Sequence, residues 1–259
     1  MTKFKKIIPA LCMLLISAVL MGTSTYAWFS MNTTVKATDM KVTAKSDDVF
    51  LQIVNHGTAF DANAAQTEIA SNAAQKAIRP TNVYATFDAT NPTDFAGGTN
   101  FVFVSNYSSD PTESTKAGAY TDVTPLAKAT DTTNVYTLVS SYDIRLKPNT
   151  GAEAASGKLK ISEVAFSKTS ASSGLKQTVS VLIVCGNFSA VYKQTGADGT
   201  FTKAAGDNAL TAEKFADTNG TQVDIYVFFD GDNTNCKTNN IVLTDVFSVD
   251  VTFNCNADA

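Results

Sequence analysis

Alternation of apolar and polar residues is the dominant pattern of this sequence and predicts β-strands along most of the chain. In the clearest example, every second residue from Val223 to Phe229 is apolar. The stretch 178–184 is almost entirely apolar and is predicted to be a central strand. The predicted strands cover residues 49–54, 82–87, 100–106, 135–147, 158–166, 178–184, 187–193, 221–229 and 241–253.

Several stretches do not alternate and predict other structure. Residues 62–77 are rich in Ala and Asn and carry apolar side chains at helical spacing, and Arg79-Pro80 would end a helix there. Residues 108–133 are dense in Ser, Thr, Asp, Gly and Pro, which favours a surface insertion. The remaining predicted elements are a loop at 201–208, one helical turn at 210–215 and a long polar turn at 230–240.

The Thr-rich segment 33–45 alternates in two phases. Val35 and Ala37 point to one face under period-2 alternation, whereas Met40 and Val42 have the opposite parity. Because a one-residue slip turns every side chain to the other face of a sheet, we expect a bulge or a break between Ala37 and Met40. A strand that leaves its own domain would show this pattern, and so would an ordinary first strand with a bulge.

The composition is typical of an exported β protein. Charged residues make up 17% of the chain, and long charged helix formers are scarce beside Thr, Ser, Asn, Ala and Val. Together with the strand pattern, this predicts an all-β, jelly-roll-like β-sandwich with one or two short helices in inserted loops. We expect residues 46–259 to form a single domain with an insertion around 55–134.

Residues 1–27 have the organisation of a cleaved secretory signal peptide. Lysines precede an apolar run from Ile7 to Met21, and the small residues Thr25 and Ala27 stand before a cut between Ala27 and Trp28. The apolar run contains a proline and is shorter than the about 20 residues of a membrane-spanning helix. The sequence therefore predicts export, with membrane contact only through the uncleaved leader.

The charge balance excludes some partners. The formal net charge is −4, and loss of a leader that carries lysines and no acid makes the remaining chain more negative. Such a chain lacks the basic surface that nucleic acid or anionic lipid would need.

Three cysteines follow the predicted leader, so at least one thiol is left over. Cys185 ends an apolar predicted strand and is expected to be a small core residue. Cys236 and Cys255 flank the last predicted strand and could form a disulfide only if the chain doubles back there.

The sequence offers little for catalysis. Its one histidine, His56, stands in a predicted turn, and neither a His-Glu-x-x-His zinc motif nor a Gly-x-Ser-x-Gly elbow occurs. We therefore predict that the chain is not an enzyme and uses no cofactor.

The polar turn after the 221–229 strand contains one candidate metal site. Asp230, Asp232 and Asn235 carry the oxygen ligands that Ca²⁺ prefers. Their spacing differs from that of an EF-hand loop, and an Asx-rich β-turn has the same sequence signature.

Two segments resemble the TasA–camelysin group of exported bacterial proteins. Thr25-Tyr-Ala-Trp-Phe at the predicted cut, followed by a Thr-rich strand that ends in Met40-Lys-Val, is similar to the leader junction of that group. The stretch from Val223 to Gly231, with Cys236 after it, resembles the last hairpin of SipW-dependent proteins from Firmicutes. Residues 46–135 lie outside the resemblance.

The resemblance implies a jelly-roll subunit of a biofilm-matrix fibre, with residues 28–45 as a donor strand that enters a groove of the next subunit. The implied partners are copies of the chain, joined head-to-tail, and a SipW-type signal peptidase during export. The implied location is the extracellular matrix or the cell surface of a Gram-positive bacterium. The implied interface residues are Trp28, Phe29, Val35, Ala37, Met40 and Val42.

Two other functions stay open at the level of sequence. A monomeric secreted or cell-surface β-sandwich could bind a glycan or a host surface through its inserted middle region. A hydrolase that uses paired carboxylates is the weakest alternative, because no carboxylates stand in a setting that marks them out.

Overall fold

The computed structural model describes residues 34–37, 49–60, 68–69, 78–105, 121–124, 135–148, 157–169, 176–195, 200–210, 220–236 and 247–257. Strands account for 63% of the described residues and helix for 2%. The chain is therefore an all-β protein, as the alternation predicts. Within the described ranges, no helix is long and apolar enough to cross a membrane.

The strands of the described residues form three sheets. The strands are β1 (Thr34–Ala37), β2 (Val49–Asn55), β3 (Glu68–Ile69), β4 (Asn82–Thr86), β5 (Thr93–Asp94), β6 (Val102–Ser105), β7 (Thr121–Asp122), β8 (Leu138–Pro148), β9 (Gly157–Thr169), β10 (Val179–Cys185), β11 (Phe188–Gln194), β12 (Phe201–Gly206), β13 (Thr221–Phe229) and β14 (Phe247–Ala257). A central sheet has the order β12-β11-β10-β13-β8-β2. A second sheet has the order β3-β1-β14-β9, and a third has the order β5-β4-β6-β7.

The central sheet is built around β10, which confirms the prediction of a central strand at 178–184. β10 pairs antiparallel with β11 on one side and with β13 on the other, so Ile183 lies between Ala190 and Ile225. Side chains of a strand alternate between the two faces of a sheet. Because both faces of β10 are covered, the strand is apolar at nearly every position.

The main core lies between the central sheet and the second sheet. Most of its members are apolar side chains that alternate inward from β2, β8, β9, β10, β13 and β14, and Phe201 of β12 and Leu210 also belong to it. The largest fully buried members are Ile53, Tyr142, Ile144, Leu159, Ile183, Leu210 and Phe253. This two-sheet sandwich is the body of the fold.

A smaller aromatic core joins the third sheet to the opposite face of the central sheet. Phe103 of β6 is completely buried and packs against Tyr226 and Phe228 of β13, with ring centroids 5.6 Å and 5.7 Å apart. Edge-on and tilted aromatic pairs of this kind stabilise beyond their buried area. The central sheet is therefore covered on both faces, and the protein has three layers where the third sheet packs.

The helix predicted over 62–77 is wrong at the residues that the structure describes. Glu68–Ile69 form β3, which pairs in parallel with β1, and Ile69 packs against the main core. Helix propensity is a weak tendency that tertiary pairing readily overrides. The other residues of this stretch lie outside the described parts of the chain.

Two predicted loops contain strand. Phe201–Gly206 forms β12, an edge strand paired with β11, although residues 201–208 show no alternation. Phe201 is its one buried residue, the next three side chains are exposed, and Ala205 packs against the aromatic core. Thr121–Asp122, in the stretch predicted as a surface insertion, forms β7.

The helical turn predicted at 210–215 lies outside the described residues, apart from the buried Leu210.

Candidate functional site

The N-terminal strand β1 lies beside the C-terminal strand β14. The two strands are antiparallel, with Val35 opposite Phe253 and Ala37 opposite Val251. Phe253 and Val251 face the main core. The predicted interface positions Val35 and Ala37 therefore lie in register with two residues of the main core.

β1 pairs with β14 of its own chain over four residues. This is the arrangement of an ordinary first strand, one of the two alternatives that the alternation left open. The next described strand along the chain is β2, one of the two edge strands of the central sheet. The other positions predicted for cleavage and assembly, Ala27, Trp28, Phe29, Met40 and Val42, lie outside the described residues.

Side chains of the polar turn after β13 form a network of hydrogen bonds with other parts of the chain. Lys193 of β11 donates from Nζ to Asp230 Oδ2 at 2.8 Å. Asp232 Oδ2 accepts from Asn82 Nδ2 at 2.6 Å and from the Tyr84 hydroxyl. Asn235 Nδ2 donates to the side-chain oxygen of Gln177.

These contacts give each predicted calcium ligand a partner within the chain. Asp230 already faces a cation, the Lys193 ammonium, and Asp232 faces β4 instead of Asp230. In the described ranges, no three His, Cys, Asp or Glu side chains lie together in a way that suits a metal ion. The geometry therefore gives the calcium hypothesis no support.

The same turn fastens the third sheet to the central sheet through the backbone. Thr81 donates its N–H to the Phe229 carbonyl at 2.9 Å, and its own carbonyl accepts from Gly231 at 3.0 Å. The polar residues thus lie at the junction between two layers. Sequence reasoning recognised the turn but missed this junction, because Asn82 is 150 residues away from Asp232.

The cysteines lie in different surroundings. Cys185 is buried in the main core, and burial raises the pKa of its thiol to about 12. Cys236 is half-buried at the end of the polar turn. Cys255 lies on β14 opposite Leu159, and its side chain is outside the described set, so the Cys236–Cys255 disulfide stays a prediction.

A shallow hollow of 270 Å³ opens on the face of the central sheet that also carries the third sheet. Its lining residues are Val184, Gly186, Thr221, Gln222 and Asp224. Asp224 Oδ1 accepts from the Ser141 hydroxyl at 2.6 Å and from Gln222 Nε2 at 2.9 Å. The register explains the arrangement, because Ser141 of β8 lies directly opposite Asp224 of β13.

A histidine–carboxylate pair stands at the end of β2, one strand away from the hollow. His56 Nδ1 is 2.9 Å from Asp143 Oδ1, and the Gly57 N–H donates to the other oxygen of the same carboxylate. The hydrogen bond with Asp143 raises the pKa of His56 above its ordinary value. The imidazole is half exposed, and the Ser141 hydroxyl donates to Asp224. A Ser-His-Asp triad is therefore not formed by these residues.

The hollow is shallow and open, and its polar lining includes the Asp224 carboxylate and the Gln222 carboxamide. A carboxylate can accept hydrogen bonds from sugar hydroxyls or ammonium groups. The hollow was not predicted from the sequence, because its lining residues come from two strands and a hairpin turn. These segments become neighbours only through the register of the sheet.

Comparisons with family models, with characterised proteins and with solved structures give no match for this chain. The class defined by the fold is an all-β sandwich with a third packed sheet. A more specific assignment is a proposal that rests on the predicted leader, the first strand and the sites described above.

Proposed function

We propose that this chain is an exported structural protein that polymerises into extracellular fibres by exchange of its N-terminal strand. The observation that supports the proposal is the position of β1, whose described pairings with β14 and β3 extend over four and two residues. A strand of another copy can make the same ladder in the same register. The contact is head-to-tail, so it propagates instead of closing a dimer.

The physical basis is the geometry of an incomplete sandwich. Removal of β1 would leave unpaired those backbone groups of β14 along 251–254 that point towards β1, beside the core residues Val251 and Phe253. An incoming strand satisfies both the hydrogen bonds and the apolar surface. In this proposal the body is jelly-roll-like, and an uncleaved leader keeps the strand at the membrane.

The proposed location follows from the leader. Cleavage between Ala27 and Trp28 by a SipW-type signal peptidase would release the strand into the matrix or onto the surface of a Gram-positive bacterium. N-terminal sequencing of the secreted chain tests this part, because a mature protein that begins elsewhere would contradict it.

Strand exchange is tested most directly with introduced cysteines. Thr34 and Asn254 lie opposite each other in the β1–β14 ladder, close enough for a disulfide. Chains with Thr34→Cys alone are mixed with tagged chains carrying Asn254→Cys alone, refolded and oxidised. Exchange predicts a disulfide between the two chains, located by peptide mass spectrometry.

Matched mixtures of each variant with the unaltered chain control for the native thiols. The double variant, oxidised as a folded monomer, locks β1 to its own β14. We expect electron microscopy to show filaments from the unaltered mature chain, and none from the locked chain until it is reduced. Monomers in every sample, with no disulfide between chains, would overturn the proposal.

The hollow beside Asp224 favours a second function, a monomeric secreted or cell-surface module that binds a glycan or a host surface. Binding to a glycan array should then be lost in Asp224→Asn and retained in Asp88→Asn, which alters an exposed carboxylate in the turn after β4. Unchanged binding in both variants, or none in the unaltered protein, argues against this function.

A further inference from the structure

Three side chains at the junction of the third and central sheets have the chemistry of an amide-forming group. Lys193 Nζ lies 3.3 Å from Asn82 Oδ1, the oxygen bonded to the carboxamide carbon. The same ammonium lies 2.8 Å from Asp230 Oδ2. A lysine amine, a carboxamide and a carboxylate thus meet from β11, β4 and the turn after β13.

The surroundings favour a reaction over simple solvation. Asn82 and Asp230 are 7% and 6% exposed, and the Lys193 side chain is 32% exposed. Partial exclusion of water strengthens electrostatic interactions within such a group. Asn82 is also held at both ends of its carboxamide, because Oδ1 accepts from the Val83 N–H and Nδ2 donates to Asp232.

We propose that Lys193 and Asn82 form a covalent side-chain amide, with Asp230 as the group that moves protons. The Lys193 nitrogen forms a bond to Asn82 Cγ, and the bond between Cγ and Nδ2 breaks. The ammonium of Lys193 carries three protons, of which one stays on the new amide. The other two pass to the departing amide nitrogen, which leaves as ammonium, so no oxidant or other reactant is required.

Each neighbouring group has a definite part in this step. Asp230 accepts a proton from Lys193 Nζ, which leaves the neutral amine that can attack. The Val83 N–H, 2.9 Å from Asn82 Oδ1, donates to the oxygen on which negative charge develops. Asp232 orients the departing nitrogen, since its carboxylate accepts from Nδ2 at 2.6 Å.

The cross-link would join the third sheet to the central sheet across 111 residues of sequence. A permanent bond at this position suits an exported protein that works without cellular repair. The inference does not depend on fibre formation, because it rests on contacts within one folded chain.

The experiment is mass spectrometry of the purified, folded chain after prolonged incubation. We expect the intact mass to fall short of the sequence mass by one ammonia, and a digest to contain one branched peptide that joins Lys193 to Asn82. The chain provides its own control. Lys203 donates to Asn208 Oδ1 at an exposed site where its described contacts include no carboxylate, so this pair should stay unlinked.

Two variants separate the chemistry from folding. Lys193→Arg keeps the charge opposite Asp230 but cannot form the bond, so its mass should match its sequence. Asp230→Asn should slow bond formation about 100-fold or more, the usual contribution of a positioned proton-transfer group. A full sequence mass for the unaltered folded chain, or an ammonia loss without the branched peptide, would overturn the proposal.

Discussion

At the scale of the residue, Asp143 organises the end of a strand. Its carboxylate accepts from the His56 imidazole and from the Gly57 N–H, while the backbone N–H of His56 donates to the Ser141 carbonyl. One acidic side chain on β8 therefore fixes the turn that follows β2. Because β8 alternates, Asp143 lies on the face opposite the buried Tyr142 and Ile144.

This pair gives a pH-dependent prediction. His56 has a raised pKa when folded, so its contribution to stability is fully present below the ordinary value of 6.5. The contribution is lost as the pH rises through the raised pKa. Asp143→Asn should return the His56 pKa towards 6.5, as followed by NMR titration of the imidazole. An unchanged titration in the variant would show that Asp143 is not the cause.

Cys185 provides a second prediction at this scale. Desolvation, with a smaller effect of the nearby Asp224 carboxylate, raises the pKa of its thiol to about 12. Because the thiolate is the reactive form, Cys185 should resist alkylation in the native protein near pH 8 and react once the chain is unfolded. Peptide mass spectrometry after labelling measures this, and rapid native labelling would contradict the buried position.

At the scale of the element, β12 keeps its place through close contact with β11. Gly206 has φ +97°, and a Cβ there would lie 2.2 Å from the Ser189 carbonyl oxygen. The Asp207 N–H donates to that same oxygen at 2.7 Å. The strand therefore ends at a backbone contact that only glycine permits.

The contact predicts an unequal pair of glycine substitutions. Gly57 also has a positive φ, +80°, but a Cβ there meets nothing within 4 Å. Gly57→Ala should cost about 1 to 2 kcal/mol of unfolding free energy, the penalty of the left-handed conformation. Gly206→Ala should cost more, because backbone must also move. Denaturant unfolding of both variants tests the order, and equal losses would contradict it.

At the scale of the whole molecule, the two cores share one sheet. In β10, Val181 and Ile183 face the main core while Leu182 faces the aromatic core. Both cores therefore depend on β10, and unfolding of this strand would disrupt both of them. We expect the three layers to unfold together.

Phe103 tests this cooperation. It is completely buried in the aromatic core, so Phe103→Ala should lower the unfolding free energy by about 3 to 5 kcal/mol. Phe87→Ala removes a side chain that is 43% exposed and should change stability by less than about 0.5 kcal/mol. Tyrosine fluorescence should report the unfolding of both cores, and alkylation of Cys185 should report the main core alone.

Coincident transitions from these two measurements would support a single cooperative unit. If Phe103→Ala loosens the aromatic core and leaves the protection of Cys185 unchanged, the third sheet unfolds independently.

The difference between prediction and structure follows one physical rule. Strands with two-residue alternation, such as 221–229, were predicted correctly because the order of apolar and polar residues within the strand itself indicates which side chains are buried. β3 and β12 were missed because pairing with a neighbour, rather than their own composition, makes them strands. The polar turn after β13 was located correctly from the sequence, but the hydrogen-bond partners of Asp230 and Asp232 were not predicted.

The sequence by itself determined the all-β class, the central strand and the place of the polar turn after β13, since side-chain periodicity and turn chemistry act within a few residues. Only the tertiary structure decided which strands became neighbours. That choice brings Lys193, Asn82 and Asp230 together, opens the hollow beside Asp224 and seats β1 on β14. Contacts between residues far apart in sequence depend on sheet order and register, which no local pattern specifies.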